Sequence, residues 1–332
     1  MTIFTKTPLR LSFFGGGSDY AEYFNHNESA VLGGTLDKYI YIYQLPMSNF
    51  SPKKYKLSWR HTEEVDNICD FKHPVIRAVL EKYNWDIPIN ISTMSDIPGG
   101  TGLGSSSSFT VGFLKLINSI IDNDIDKLSL AREAYNVEHD ILKENVGIQD
   151  QLHASFGGFN LFRISGRKVT IEPIQLKKSF RNLLNRSLIL VYTGVTRHAS
   201  EVLNDQIQNT KKELNFNQID ELVQMTIEAA ELMQTSKDDK LLIKEIGSML
   251  HDAWKLKKTF SKKITNSKID EIYEDGINLG AYGGKLCGAG GGGFVMFLVK
   301  DKAKKKFIDF FGKNNVLDIS LTNNGSEIVK TI

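Results

Sequence analysis

Cysteine is scarce in this sequence, with only Cys69 and Cys287 among 332 residues. Two cysteines cannot form the disulfide network that stabilises small secreted proteins. Neither of them lies among histidine or carboxylate residues at the spacing of a zinc site. We therefore expect two reduced thiols and no zinc.

Long apolar runs and a strong charge of one sign are also missing. No stretch reaches the roughly 18 apolar residues of a transmembrane helix, and the N-terminus lacks the apolar core of a signal peptide. The formal net charge of +2 is too small for a nucleic-acid-binding surface. We expect a cytoplasmic protein without nucleic-acid or membrane partners. The sequence leaves open whether the protein forms a homodimer.

Glycine, in contrast, is concentrated in a loop at residues 98–108, which read PGGTGLGSSSS. The loop follows an extended segment and precedes an apolar-periodic run, so it predicts a turn at a helix N-terminus. Such a turn can bind phosphate, because its backbone N–H groups are free and the helix dipole is positive there. The loop lacks the Gly-Lys-Ser/Thr ending of a Walker A motif. Taken alone, it could also be a flexible turn with a serine cap.

Two further glycine-rich loops make a phosphate-binding function the better interpretation. Residues 14–20 read FGGGSDY, and residues 283–293 read GGKLCGAGGGG. Apolar strands or helices flank all three loops, whereas flexible linkers have polar flanks. We therefore expect rigid loops that build a binding site.

Outside these loops, hydrophobic periodicity predicts strands and helices in mixed order. Strands are predicted at residues 3–13, 38–45, 55–59, 159–164, 169–174, 187–192, 294–299 and 316–321. Helices are predicted at residues 74–83, 127–144 and 301–313, and from 198 to about 279 with breaks near Asn215 and Ser236. This order indicates an α+β fold. A boundary near residue 185 would give domains 1–185 and 186–332, with the active site between them.

The three loops, in this order, resemble the motifs of the GHMP small-molecule kinases. The first motif includes Pro8-Leu9-Arg10 ahead of its glycines, and the middle motif is the most specific of the three. The resemblance covers nearly the whole chain. It implies the GHMP kinase fold, ATP as the phosphate donor and Mg²⁺ as the metal.

The resemblance also assigns the phosphate-binding residues and the metal ligands. The cofactor-binding set is Gly100, Gly102, Leu103, Gly104, Ser105, Ser106 and Ser107. Ser106 and Glu138 would hold the magnesium ion, since this metal prefers oxygen ligands. Without the resemblance, Ser106 would be only a helix cap and Glu138 a solvated acid, with Asp140 and Glu144 as nearby competitors.

Asp150 and Arg10 are the catalytic residues that the resemblance implies. Asp150 would orient the attacking hydroxyl group and accept its proton late, and Arg10 would stabilise the transferring charge. The alternatives are an acid that favours a helix dipole and an ordinary arginine at a strand end.

The substrate-binding residues are predicted to be Gly17, Ser18, Asp19, Arg197, Gly290 and Gly291. A carboxylate can accept two hydroxyl hydrogen bonds, so Asp19 suits a vicinal diol. Galactokinase-like sequences carry Glu-His where this chain has Gly16-Gly17, which argues against galactose. Arg197, with His198, could bind a substrate phosphate or could be a cap with solvated charges.

Two features have less specific interpretations. The lysine clusters at residues 257–263 and 302–306 are predicted to be solvated helix faces. An adenine pocket is expected within residues 55–85, with Trp59 and Val75 as candidates.

The first motif most resembles the family branch of heptose phosphate kinases, with fucokinase-type enzymes nearby. This implies phosphorylation of D-glycero-D-manno-heptose 7-phosphate at its anomeric hydroxyl group. The product would be heptose 1,7-bisphosphate, a precursor for nucleotide-heptose and surface polysaccharide. The alternatives are a fucokinase-type or other anomeric sugar kinase and a non-catalytic sugar-sensing protein. A dinucleotide oxidoreductase is disfavoured because no GxGxxG follows the first strand.

Overall fold

The structure, a computed structural model, describes residues 2–195, 200–300 and 303–331. Its strands are β1 (Thr2–Phe14), β2 (Ser29–Leu45), β3 (Tyr55–Ser58), β4 (Thr62–Val65), β5 (Ile89–Ser95), β6 (Phe159–Ser165), β7 (Lys168–Pro173), β8 (Leu188–Tyr192), β9 (Ala281–Leu286), β10 (Phe294–Val299), β11 (Val316–Leu317), β12 (Leu321–Thr322) and β13 (Glu327–Thr331). Its helices are α1 (Ala21–Phe24), α2 (Pro74–Lys82), α3 (Ser105–Ile120), α4 (Lys127–Tyr135), α5 (Gln149–Phe156), α6 (Lys178–Ser187), α7 (Ser200–Lys211), α8 (Phe216–Thr235), α9 (Asp239–Lys258), α10 (Ser267–Asn278) and α11 (Lys304–Phe311). The predicted α+β class is confirmed.

The first sheet is built around β1 and β2, which pair antiparallel along most of their length. Its order is β13-β1-β2-β5-β3-β4, while β6 and β12 also pair with β2 and β7 pairs with β6. The register of β1 and β2 shifts between Pro8 and Arg10. Such a bulge redirects side chains and is common next to active sites.

The second sheet has the order β11-β8-β10-β9 and is antiparallel throughout. Helix α9 packs on β9, and α10 packs on β9 and β10. After this sheet the chain returns to the first one, since β12 pairs with β2 and β13 pairs with β1. The predicted domain boundary near residue 185 lies inside α6. The division into domains 1–185 and 186–332 stays a prediction.

Helix α3 connects the middle glycine loop to the core. It packs against β1 and β2 on one side and against α4 and α5 on the other. Its apolar positions, such as Phe113, Leu114 and Ile117, are fully buried. The loop that precedes α3 is therefore anchored to the buried core.

Several predicted boundaries are wrong. The helix predicted at residues 127–144 ends at Tyr135, where a wider π-helical turn (Asn136–Ile141) takes over. Such turns are frequent at functional sites. The helical region ending near 279 has a further break between α9 and α10, and α6 was not predicted. The strand predicted at residues 316–321 is split into β11 and β12.

The third glycine loop is shorter than its composition indicated, because Gly283 and Gly284 belong to β9. An added Cβ at Gly283 would lie 1.9 Å from the carbonyl oxygen of Gly247 in α9. Glycine is thus required here for close packing of strand and helix. Within the described residues, no helix has the length and apolar character needed to cross a bilayer.

Candidate active site

The three glycine loops meet around one cavity of about 570 Å³. From the middle loop, Gly100, Gly102 and the four residues 104–107 line its wall. The other predicted site residues in the wall are Arg10, Gly17, Asp19, Asp150 and Gly290. Residues from distant parts of the sequence are therefore brought together as the motifs predicted.

The middle loop presents the N-terminus of α3 to this cavity. Gly104 precedes the helix in a left-handed conformation, with a φ of 74°. The N–H groups of the first helical turn have no intrahelical partner, and the dipole of this 16-residue helix adds positive charge at that end. This geometry suits a bound phosphate group.

Gly102 joins the middle loop to the third one. Its φ is 82°, and an added Cβ would lie 2.4 Å from the carbonyl oxygen of Cys287. On the opposite side of this junction, an added Cβ at Gly288 would lie 2.8 Å from the Cα of Gly102. Only glycine allows the two backbones to approach this closely.

Arg10, which is buried, and Asp150, which is half-buried, form a bidentate ion pair in the cavity wall. The Nε of Arg10 donates to Oδ1 of Asp150 at 2.7 Å, and its Nη2 donates to Oδ2 at 2.6 Å. The third guanidinium nitrogen, Nη1, donates to the carbonyl oxygen of Gly102 at 2.6 Å. Arg10 therefore fixes the Asp150 carboxylate relative to the middle glycine loop.

Asp19 lies near the C-terminal end of the first glycine loop. Its Oδ1 accepts a hydrogen bond from the N–H of Gly17 at 2.9 Å, and burial raises the pKa of this carboxyl group. Ser18 does not line the cavity. Its hydroxyl group is buried behind the loop, where it donates to the carbonyl oxygen of Gly15 at 2.8 Å.

Glu138 points inward from the π-helical turn and is fully buried. Its carboxylate accepts hydrogen bonds from Ser107 at 2.8 Å, Thr110 at 2.6 Å and the side-chain amide of Gln151. Burial raises the pKa of Glu138 to about 7. Ser106, in contrast, is exposed in the cavity wall. Glu138 therefore contacts the middle glycine loop through Ser107 rather than Ser106.

The remaining predicted residues have other positions. Leu103 is buried in the core, and its carbonyl oxygen accepts from the backbone N–H of Arg10 at 3.0 Å. Gly291 donates its N–H to the carbonyl oxygen of Ile264 at 2.9 Å. Arg197 and His198 lie outside the described residues. Of the adenine-pocket candidates, Val75 belongs to the core and Trp59 packs edge-on against His73.

Two buried lysines near the cavity were missed, and for one of them the prediction of a solvated face is wrong. Lys257 is only 6% exposed and lines the cavity, and Lys285 on β9 is 4% exposed. A signal existed for Lys257, because it follows Ala253 by four residues and Trp254 by three. It therefore continues the buried apolar stripe of α9.

Burial lowers the pKa of Lys285 to about 7, which predicts a pH-dependent stability. In the unfolded chain this lysine keeps its proton to about pH 10.4. Between these values the unfolded state binds more protons, so the free energy of unfolding should rise with pH. Lys285→Met should remove this rise. The free energy of unfolding of the variant should therefore exceed that of the wild type by the largest amount below pH 7.

Urea unfolding of the ligand-free protein between pH 6 and pH 9 would measure this effect. The control is Lys262→Met, at an exposed lysine, which should follow the wild-type curve. Parallel curves for Lys285→Met and the wild type would contradict the prediction.

Comparison with known proteins adds a family to this geometry. Residues 71–158 match the N-terminal domain of GHMP kinases, and residues 230–315 match their C-terminal domain, together just over half of the chain. A D-glycero-alpha-D-manno-heptose 7-phosphate kinase of Campylobacter jejuni is 29% identical, with 98% of each chain covered. A galactokinase of Pyrococcus furiosus is 27% identical, covering 91% of this chain and 90% of the relative.

Among solved structures, a D-glycero-D-manno-heptose 1-phosphate kinase from Bacteroides thetaiotaomicron superposes with a TM-score of 0.79. The alignment covers 99% of both chains at 22% identity, so it shows a shared fold. The names of the two heptose kinases differ in the position of the phosphate.

Proposed function

Since this chain belongs to the GHMP kinase family, we propose that it transfers the γ-phosphoryl group of ATP to a sugar phosphate. The proposed acceptor is D-glycero-D-manno-heptose 7-phosphate, and the proposed acceptor atom is its anomeric hydroxyl oxygen. The observation that carries this proposal is the Arg10–Asp150 pair, bonded to Gly102 of the phosphate loop in the wall of one cavity. A relative that is 29% identical over 98% of the chain supports the heptose.

In this proposal the residues of the middle loop bind the phosphates of ATP. The free N–H groups at the start of α3 and the hydroxyl groups of Ser105 and Ser106 face the cavity and would donate to phosphate oxygens. This placement leaves another part of the wall, with Asp19 and Gly17 of the first glycine loop, for the sugar.

Asp150 would orient the anomeric hydroxyl group and accept its proton as the bond to phosphorus forms. Phosphoryl transfer depends mainly on positioning and charge stabilisation, so a weakly basic carboxylate is sufficient. Arg10 holds both carboxylate oxygens and keeps Asp150 in place. Its positive charge also stabilises the negative charge that develops on the transferring group.

The site offers oxygen donors, which are the type of ligand that magnesium prefers. Ser106 offers a hydroxyl oxygen in the cavity wall, and Glu138 is a buried carboxylate that is hydrogen-bonded to the neighbouring serine. Ser106 would contact the ion from the cavity wall, and Glu138, which does not line the cavity, would reach it only after giving up hydrogen bonds that it now accepts. When bound, Mg²⁺ would neutralise phosphate charge during transfer.

A panel of acceptors tests the proposed function. We expect ATP turnover with magnesium for heptose 7-phosphate and much less for mannose, fucose, galactose or mevalonate. Phosphorus NMR of the product should show a new anomeric phosphate. Turnover of fucose alone would identify a fucokinase-type enzyme instead. Sugar binding without any turnover would favour a sensor.

A further inference from the structure

Lys257 and Lys285 are buried lysines without a carboxylate partner. Within the described part of the chain, neither ammonium group has a carboxylate oxygen within 4.0 Å. The Nζ of Lys257 donates to the carbonyl oxygen of Gly288, and that of Lys285 to the carbonyl oxygen of Phe13, each at 3.2 Å. A buried charge is costly unless an anion compensates it.

The nearby charges leave an excess of positive charge on this side of the cavity. Arg10 is neutralised by Asp150 through two hydrogen bonds. Asp19 attracts both Lys257 and Lys285, while Lys143 and Glu144, which also line the cavity, carry opposite charges. One acid facing two lysines leaves room for an anionic ligand.

Three polar side chains converge beside Gly16 in the first glycine loop. A Cβ added to Gly16 would lie 3.4 Å from Nζ of Lys257, 3.4 Å from Nε2 of Gln149 and 3.5 Å from Oγ of Ser12. Within the described residues, the Oγ of Ser12 is buried and has no hydrogen-bond partner, and the amide nitrogen of Gln149, rather than its oxygen, lies nearest to Gly16. Gln149 and Lys257 both line the cavity. An ammonium, an amide and a hydroxyl group can all donate to one anion.

We propose that Lys257, Gln149 and Ser12 bind the phosphate group that the acceptor sugar already carries. This inference rests on the proposed function and specifies how a sugar phosphate is recognised. The three residues surround the first glycine loop, next to Asp19, whereas the free N–H groups of α3 belong to the middle loop. The absence of a side chain at Gly16 keeps the space between the three donors open.

Lys257→Met tests this site through steady-state kinetics. We expect the KM for the sugar phosphate to rise by about 10- to 100-fold, as for loss of a charged hydrogen bond. The KM for ATP should stay within about three-fold, because the proposal places the nucleotide phosphates at the N-terminus of α3. Calorimetric binding of the sugar phosphate without ATP should weaken by the same factor. Lys258→Met is the matched control, since the adjacent Lys258 pairs with Asp270.

Gly16→Ala provides an independent variant if Lys257→Met does not fold. Gly16 has no left-handed backbone, and its nearest added contacts are at 3.4 Å, so the fold should tolerate the methyl group. The methyl group would stand among the three donors and weaken binding of the sugar phosphate. Binding of the same sugar without its phosphate should change less.

Three results would overturn the inference. A fall in kcat at constant KM would place Lys257 on the transferred group, and a rise in the KM for ATP would place it on the nucleotide. Unchanged constants in both variants would exclude a role in binding. The proposed function fails separately, in the wild type, if only unphosphorylated sugars are turned over.

Discussion

Replacing Asp150 with asparagine should lower kcat by roughly 10²- to 10⁴-fold, the range attributed to loss of a general base. The amide keeps the shape of the carboxylate and one acceptor for Arg10, but it cannot take the proton of the attacking hydroxyl group. The KM for ATP should change little, because Asp150 lies outside the phosphate loop. Initial rates with saturating ATP and heptose 7-phosphate would measure this.

A matched control separates catalysis from charge and stability. Asp140→Asn removes one carboxylate from an exposed residue on the π-helical turn and should leave kcat unchanged. Asp150→Asn should also melt at a lower temperature, because it leaves the buried Arg10 charge without its counter-ion. If the folded Asp150→Asn variant kept more than a tenth of wild-type kcat, Asp150 would not be the base.

Gly102→Ala should destabilise the protein and weaken ATP binding together. Alanine is strained at a φ of 82°, and its Cβ would overlap the backbone of Cys287. Left-handed strain and overpacking predict a loss of roughly 2–5 kcal/mol in the free energy of unfolding. The displaced loop should also raise the Kd for ATP by more than about 10-fold, because the amides of α3 would no longer be aligned.

Gly99→Ala is the control for this variant within the same loop. Gly99 has no left-handed backbone, and its nearest added contacts are at 3.6 Å. Its free energy of unfolding should stay within about 0.5 kcal/mol of the wild type. Thermal unfolding and calorimetric ATP binding would compare the two variants. Equal unfolding free energies and equal ATP affinities for the two variants would show that neither stability nor ATP binding depends on the close contact between Gly102 and Cys287.

Local sequence patterns predicted much of the fold. The α+β class and the GHMP family are confirmed, as are the breaks in the long helical region near Asn215 and Ser236. Turns and amphipathic periods depend on neighbouring residues, so they can be read without a structure. The misplaced helix end at Tyr135 arose because Glu138 turns inward to bond with α3, a contact between segments far apart in sequence.

The sequence by itself determined the three glycine loops. Left-handed φ angles and close backbone contacts require glycine, so clustered glycines reveal such loops without a structure. It also placed Arg10 just ahead of the first loop, and the family resemblance singled out Asp150. Only the tertiary structure decided that the two residues form one ion pair, that Glu138 bonds to Ser107, and that Lys257 is buried in the cavity wall. The environment of a charged side chain depends on which distant segments pack around it, and this is set by folding.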